Sequence, residues 1–324
     1  MFRLFSQNTP AAYAALLALL VALRGRLIYD PGRYVVADTP DLFSPLWQQL
    51  MGHVAAGSGL AVLLAVAVTF LCALMVNNMV NRYNLVGQQG VLGGMAFVIL
   101  CGAFRLSLAF QPSLVFALAL IWGLDRLFSA TGKERPYASV AWGFAIVSAG
   151  SLIWAKGLVF IPFLFVLLFL LRVNSLRCVM AGVVGVTGVA LVATTFTLFA
   201  PDPAETARSF VRSGFATLPY WRLGPASITY LVVALGSAAL AAASAQRHIL
   251  EMSITVSRRV RAAEWVFFFT VFLAILPGFS LDIQILTAIG ASMLLPRLLW
   301  SLGERGREAL PAALTAVTAW IIYA

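Results

Sequence analysis

Residues 142–177 read WGFAIVSAGSLIWAKGLVFIPFLFVLLFLLRVNSLR. Two apolar runs, at 137–155 and 157–172, are separated only by Ala155-Lys156-Gly157, and the second is followed by Arg172 and Arg177. Their apolar residues are continuous rather than alternating, which argues against the strands of a membrane barrel. In hydrocarbon, every backbone N–H and C=O must be satisfied within the segment, and that leaves helices. The stretch therefore reads as a tight hairpin of two membrane helices.

The same pattern recurs outward in both directions. Spans are expected near 10–29, 54–76, 89–104, 112–129, 137–155, 157–172, 177–200, 226–245, 264–280, 282–302 and 308–324. A crossing helix needs about 20 apolar residues, fewer where its ends snorkel. Boundaries carry turn signals at Thr9-Pro10, Gln111-Pro112, Arg135-Pro136 and Pro201-Asp202-Pro203. Composition agrees: 61% of the 324 residues are hydrophobic, 10% are charged, and the mean hydropathy is +0.94. Soluble domains carry about 25% charged residues. The expected fold is all-α, a polytopic transmembrane helical bundle of about eleven helices (10–12). The loops are too short for a soluble domain, so 1–324 reads as a single integral membrane domain. The basic, then apolar, N-terminus has the look of a signal peptide. No small-x-small cleavage site follows it, and Arg24-Gly25-Arg26 flanks it, so it reads as a retained first span. The segment 89–104 is short and glycine-rich, and both a crossing and a re-entrant course fit it.

Net charge is +10, yet the basic residues stand singly or in threes at helix ends. There they set orientation and meet anionic headgroups, which is not a nucleic-acid signature. With the N-terminus inside, fourteen of the 22 basic residues fall on inner segments. The outer ones are Arg24, Arg26, Arg33, Arg105, Lys156, Arg208, Arg212 and Arg222. The positive-inside rule thus favours an inner-membrane protein with its N-terminus inside and its C-terminus outside. Cys72, Cys101 and Cys178 lie in or beside apolar runs, too scattered for a disulfide framework or a metal site, and read as small hydrophobes.

Two outer loops hold most of the chemistry-bearing residues. The first, 27–53, offers Asp30, Asp38 and Asp41 behind Arg24, Arg26 and Arg33; the second, 201–226, adds Asp202, Glu205, Arg208, Arg212, Tyr220, Trp221 and Arg222. Arginine forks bind phosphate oxygens, Tyr and Trp stack on sugars or anchor at the interface, and a carboxylate can act as general base. A lipid-linked phosphate or pyrophosphate headgroup lies at this depth. The substrate-binding candidates are accordingly Arg24, Arg26, Arg33, Arg208, Arg212, Tyr220, Trp221 and Arg222, with Asp30 or Asp38 as the catalytic base. Interfacial snorkelling and loop solvation also explain these residues.

Elsewhere the expectations are structural. Asp125 and Arg126 pair with each other. Arg105 and Lys156 snorkel from helix ends, and Asp282 serves a helix end. Arg297 is the deepest basic residue of its segment and a candidate for a polar interior. No span has a central carboxylate or histidine, and His53 and His248 lie at opposite ends of the topology. In NNMVNRYNLVGQQG (77–90), Asn77, Asn78, Asn81 and Asn84 are suited to capping helices and bonding a re-entrant backbone. In SITVSRRVRAAE (253–264), three arginines sit beside the inner leaflet, where anionic-lipid attraction accounts for them. Gly182, Gly185 and Gly188 suit close helix packing. No Walker loop, dinucleotide fingerprint, zinc pattern, nucleophile elbow or kinase set occurs, so no metal site is expected and the sequence leaves the cofactor unknown.

The short N-terminus, the Asn81-Arg82-Tyr83-Asn84 segment and the 142–177 hairpin resemble an uncharacterised family of multi-pass membrane proteins found in Bacteroidota. The resemblance implies an inner-membrane location and supplies no catalytic residues. The acidic first outer loop is also similar to that of membrane glycosyltransferases using polyprenyl-phosphate sugars, although this chain has no extended soluble outer domain. Three functional readings follow: an enzyme or handler of a lipid-linked phosphate or sugar, a non-catalytic subunit of an envelope complex with membrane partners, and a small-molecule or lipid transporter.

Overall fold

Each of the eleven apolar stretches contains a helix. A computed structural model of the chain describes residues 2–29, 44–51, 58–102, 110–215, 225–247, 252–276 and 283–323. In chain order the helices are α1 (Phe2–Phe5), α2 (Pro10–Tyr29), α3 (Pro45–Met51), α4 (Gly59–Arg82), α5 (Leu92–Cys101), α6 (Pro112–Ala130) and α7 (Tyr137–Ile153). A 3-10 turn (Ala155–Val159) leads into α8 (Phe160–Leu170), α9 (Leu176–Leu198), α10 (Pro203–Phe215), α11 (Pro225–Arg247), α12 (Ile254–Ile275), α13 (Gln284–Ser301) and α14 (Glu304–Tyr323). No strand occurs among the described residues. α4, α6 and α9 are long and apolar enough to cross a membrane unaided, while α5, α7 and the 155–170 segment are apolar but shorter.

α5 and α13 form the centre. All ten residues of α5 are buried, as are fourteen of the eighteen in α13. A helix apolar on every side must be enclosed by others. The two pack on each other; α2, α4 and α14 close over α5, and α11 and α12 over α13. At about 1.5 Å per residue, α5 is some 15 Å long, half the hydrocarbon thickness. α6, α7 and α9 form a second layer, with α9 at its margin exposing Leu191, Phe196 and Leu198. Gly182 faces the Phe144 ring and Gly185 lies against the Ala141 carbonyl, as expected for packing, whereas Gly188 has open space around it.

The amide-rich segment behaves as its composition suggested. Asn84 stands at φ 53°, ending α4 in a Schellman turn in which Leu85 N donates to the Val80 carbonyl at 3.0 Å. Asn81 Nδ2 donates to the Gly90 carbonyl (2.8 Å) and its Oδ1 accepts from Gly90 N (3.2 Å). Asn77 Oδ1 accepts from Gly94 N (3.4 Å), and Val91 N donates to the Phe5 carbonyl (2.7 Å). These bonds serve the backbone at the start of α5, whose first N–H groups have no intrahelical partner. Asn81→Ala removes two of them and is expected to destabilise the protein by about 1–3 kcal/mol, measurable as a lower midpoint of thermal aggregation in detergent.

Two polar expectations are corrected at this end of the bundle. Asp125 does not pair with Arg126: its carboxylate accepts from the Tyr83 hydroxyl (2.8 Å) and pairs with Arg82 (3.6 Å). The 253–264 stretch is not a surface segment held only by lipid, because it is the first half of α12. Arg259 turns inward there, its guanidinium 4.6 Å from the centre of the Tyr83 ring and donating to the Phe128 carbonyl at 3.2 Å. Burial, then the negative charge of Asp125, pushes the Tyr83 phenol above its usual range, so it stays a donor. Glu264 falls at the midpoint of α12, 3% exposed, where it accepts from Gln246 Nε2; it is the first residue of the stretch expected to span at 264–280. Arg297 does face the interior, donating to the Leu85 carbonyl at 3.2 Å.

Candidate functional site

The opposite end of the bundle is built on the 142–177 hairpin. α7 stops at Ile153, and Trp154 is extended (φ −127°, ψ 95°). Gly157 N then donates to the Trp154 carbonyl at 2.8 Å, closing the 3-10 turn. Gly157 is required by its neighbour: a Cβ there would stand 2.8 Å from Cδ2 of Phe116. Phe116 in turn packs against Trp154 (5.1 Å between centroids) and Phe160 (5.3 Å). Lys156 is carried inside this turn and is 4% exposed. The expectation that it snorkels outward is therefore corrected. The hairpin is so tight that the one charged residue of its 155–159 turn is folded beneath neighbouring elements.

Those elements come from the segments 27–53 and 201–226. Ser44 Oγ donates to the Ile153 carbonyl (2.7 Å) and accepts from Trp47 N (3.3 Å), capping α3 and fixing it to the end of α7. Trp47 is buried against Phe110, with centroids 5.3 Å apart. α10 starts at Asp202-Pro203, an N-cap followed by proline, and Asp202 Oδ1 accepts from Glu205 N at 3.1 Å. α10 then packs on the Ala155–Val159 turn, and on α3. Helices from both loops thus meet, and both touch the hairpin that carries Lys156.

The sequence candidates divide between this site and others. Arg208 and Arg212 lie on α10, exposed, and pair with Glu205 at 3.9 and 3.4 Å. Exposed pairs of this kind contribute ~0–1 kcal/mol, so both guanidiniums remain available to an anion. Arg26 is half-buried and donates to the Ile322 carbonyl at 2.8 Å, joining α2 to α14. Arg24 is 1% exposed and sits beside Cys101, in hydrogen-bonding contact, and Cys72. α2 packs on α4, α5 and α14, so its arginines and those of α10 occupy different surroundings. Asp30, Asp38, Arg33, Tyr220, Trp221 and Arg222 lie outside the described residues, as do Asp41, His53, Arg105, His248 and Asp282. The three cysteines are free and buried.

Beside the hairpin lies a groove of about 480 Å³ between α8 and α12, within the ~300–1,000 Å³ typical of ligand clefts. Val159 stands at one end and Val166 at the other, and Phe163 and Phe269 form part of its wall, stacked 3.9 Å apart with planes inclined by 1°. Its lining is apolar throughout. Sequence reading gave no sign of it, because the aromatics of α8 and α12 are a hundred residues apart and each looks like lipid-facing bulk. Chemically, this end of the bundle combines two surface arginines and an apolar slot with a buried lysine that already has a partner within the protein. The exposed arginines of α10 are suited to meeting an anion.

No family model, curated protein or solved structure matches the chain. Function must therefore be argued from the geometry.

Proposed function

We propose that the protein is a multi-pass inner-membrane protein, with about eleven crossings and its N-terminus inside, that binds or processes a lipid-linked phosphate or sugar at its outer face. The observation that carries this reading is the junction of α3 and α10, helices from separate loops, which sets Arg208 and Arg212 exposed beside the hairpin. Arginine forks bind phosphate oxygens bidentately, and both guanidiniums are held only by weak surface pairs. Lipid phosphates present their charge at this depth, and a small soluble anion has no need of a membrane.

The test is native mass spectrometry of the detergent-purified protein titrated with polyprenyl phosphate and, separately, with a zwitterionic phospholipid. Preferential, saturable adducts of the polyprenyl phosphate are the expected result. Equal occupancy by both lipids contradicts the proposal.

A further inference from the structure

We infer that Arg82 and Arg259, gathered around the Tyr83 ring with Arg126 beside them, bind the phosphate of an anionic phospholipid. This site lies at the end of the bundle opposite the hairpin and is independent of the lipid-linked ligand proposed above. The Arg82 guanidinium carbon stands 5.6 Å from the centre of the Tyr83 ring, and that of Arg259 stands 4.6 Å from it. The ring attracts each cation, but two like charges on one ring repel each other. Asp125 offsets one of them: its carboxylate accepts from the Tyr83 hydroxyl at 2.8 Å and lies 3.6 Å from Arg82. Arg259 is held instead by uncharged groups, the Phe128 and Thr131 carbonyls at 3.2 and 3.4 Å. The open carbonyls of a helix end carry only about half a unit of negative charge. Arg126, exposed and not paired with Asp125, adds a third cation. Positive charge is therefore in excess where α4, α6 and α12 meet.

Depth identifies the source of the phosphate. α4 and α6 are both long and apolar enough to cross a membrane. Arg82 is the last residue of α4, and Arg126 lies in the last turns of α6. Arginines at the ends of crossing helices reach the headgroup layer. The Arg82 side chain is 56% exposed and its ion pair is a weak one, so its guanidinium is available to a ligand. Guanidinium forks take phosphate oxygens bidentately, and basic pockets between helix ends recognise lipid phosphates. A zwitterionic phospholipid also brings an ammonium, which three arginines repel. The site therefore selects an anionic headgroup.

Native mass spectrometry of the detergent-purified full-length protein tests this, with phosphatidylglycerol, phosphatidylcholine and glycerol 3-phosphate as probes. Wild-type protein is expected to prefer phosphatidylglycerol over phosphatidylcholine by about tenfold. Glycerol 3-phosphate at the same concentrations is expected to leave no adduct. Arg82→Gln combined with Arg126→Gln is expected to cut the preference to about twofold, with the thermal midpoint unchanged because both residues are exposed. Arg126→Gln alone, which leaves the Arg82–Asp125 pair in place, is expected to give an intermediate preference. Arg177→Gln combined with Arg305→Gln removes the same charge from exposed positions on α9 and α14, and is expected to leave the preference intact. The same preference in the two double variants overturns the assignment, because surface charge in general would then explain the binding. Glycerol 3-phosphate binding as tightly as phosphatidylglycerol overturns the lipid as the source of the phosphate.

Discussion

The double substitution Arg208→Gln with Arg212→Gln is expected to lower polyprenyl phosphate affinity by about tenfold while the protein still folds. Both guanidiniums lie exposed on α10, paired with Glu205 at 3.9 and 3.4 Å, so their removal leaves no buried group unpaired. Two charge-assisted contacts to phosphate at an exposed site contribute about 1–2 kcal/mol together, which corresponds to the stated loss, and the residual binding is expected to depend less on salt. Lys156 is a different case: it is 4% exposed and already has a partner within the protein, so Lys156→Met is expected to lower the thermal midpoint. Full affinity in the double variant, with the thermal midpoint unchanged, would contradict the lipid-phosphate reading.

Gly290→Val is expected to be the most damaging single change to the fold. α13 crosses α12 at this residue, and a Cβ would stand 2.6 Å from the backbone nitrogen of Phe267 and 2.7 Å from its Cα. A flexible side chain could yield; backbone cannot. α13 is enclosed, so separating it from α12 also opens the contact between α13 and α5 at the centre. Overpacking typically costs about 1–3 kcal/mol, and this site belongs at the upper end. A fall of roughly 5–10 °C in the thermal aggregation midpoint follows. Gly188→Val is the matched control, because nothing lies within 4 Å of a Cβ there, and it is expected to leave the midpoint in place. A similar midpoint for both variants would mean that α12 and α13 do not cross at Gly290.

Helix positions were legible because the dominant signal, a continuous apolar run, is local. α2 falls at 10–29 as read, and most other helix ends fall within a few residues. α12 is the exception. Its first ten residues carry three arginines and so lack a hydropathy signal, yet they continue the helix and turn Arg259 onto Tyr83. The Asp125–Arg126 reading failed for a geometric reason: consecutive residues on a helix point about 100° apart and do not face each other. Tyr83, 42 residues away, supplies the partner. The amide-rich segment was readable because asparagine has few other uses beside an open backbone. α10 also had a readable signal, the Asp202-Pro203-x-Glu205 start, which the composition of the loop as a set of charged candidates obscured. Burial of Arg24 and Lys156 had none. Whether a basic residue at a helix end reaches water or is covered depends on elements distant in sequence, here α3 and α10 over the hairpin.

The account requires that the Lys156 end face outward. Ala207 is exposed on α10 at that end, and Ser253 is exposed at the start of α12 at the other. The native cysteines are buried, so the wild-type chain serves as an unlabelled background. Labelling of Ala207→Cys and Ser253→Cys with a membrane-impermeant maleimide in right-side-out vesicles reads the orientation directly. Ala207→Cys is expected to react at once, and Ser253→Cys only after the vesicles are opened with detergent. The reverse order, or equal reaction of both before detergent, contradicts an outward-facing lipid-phosphate site.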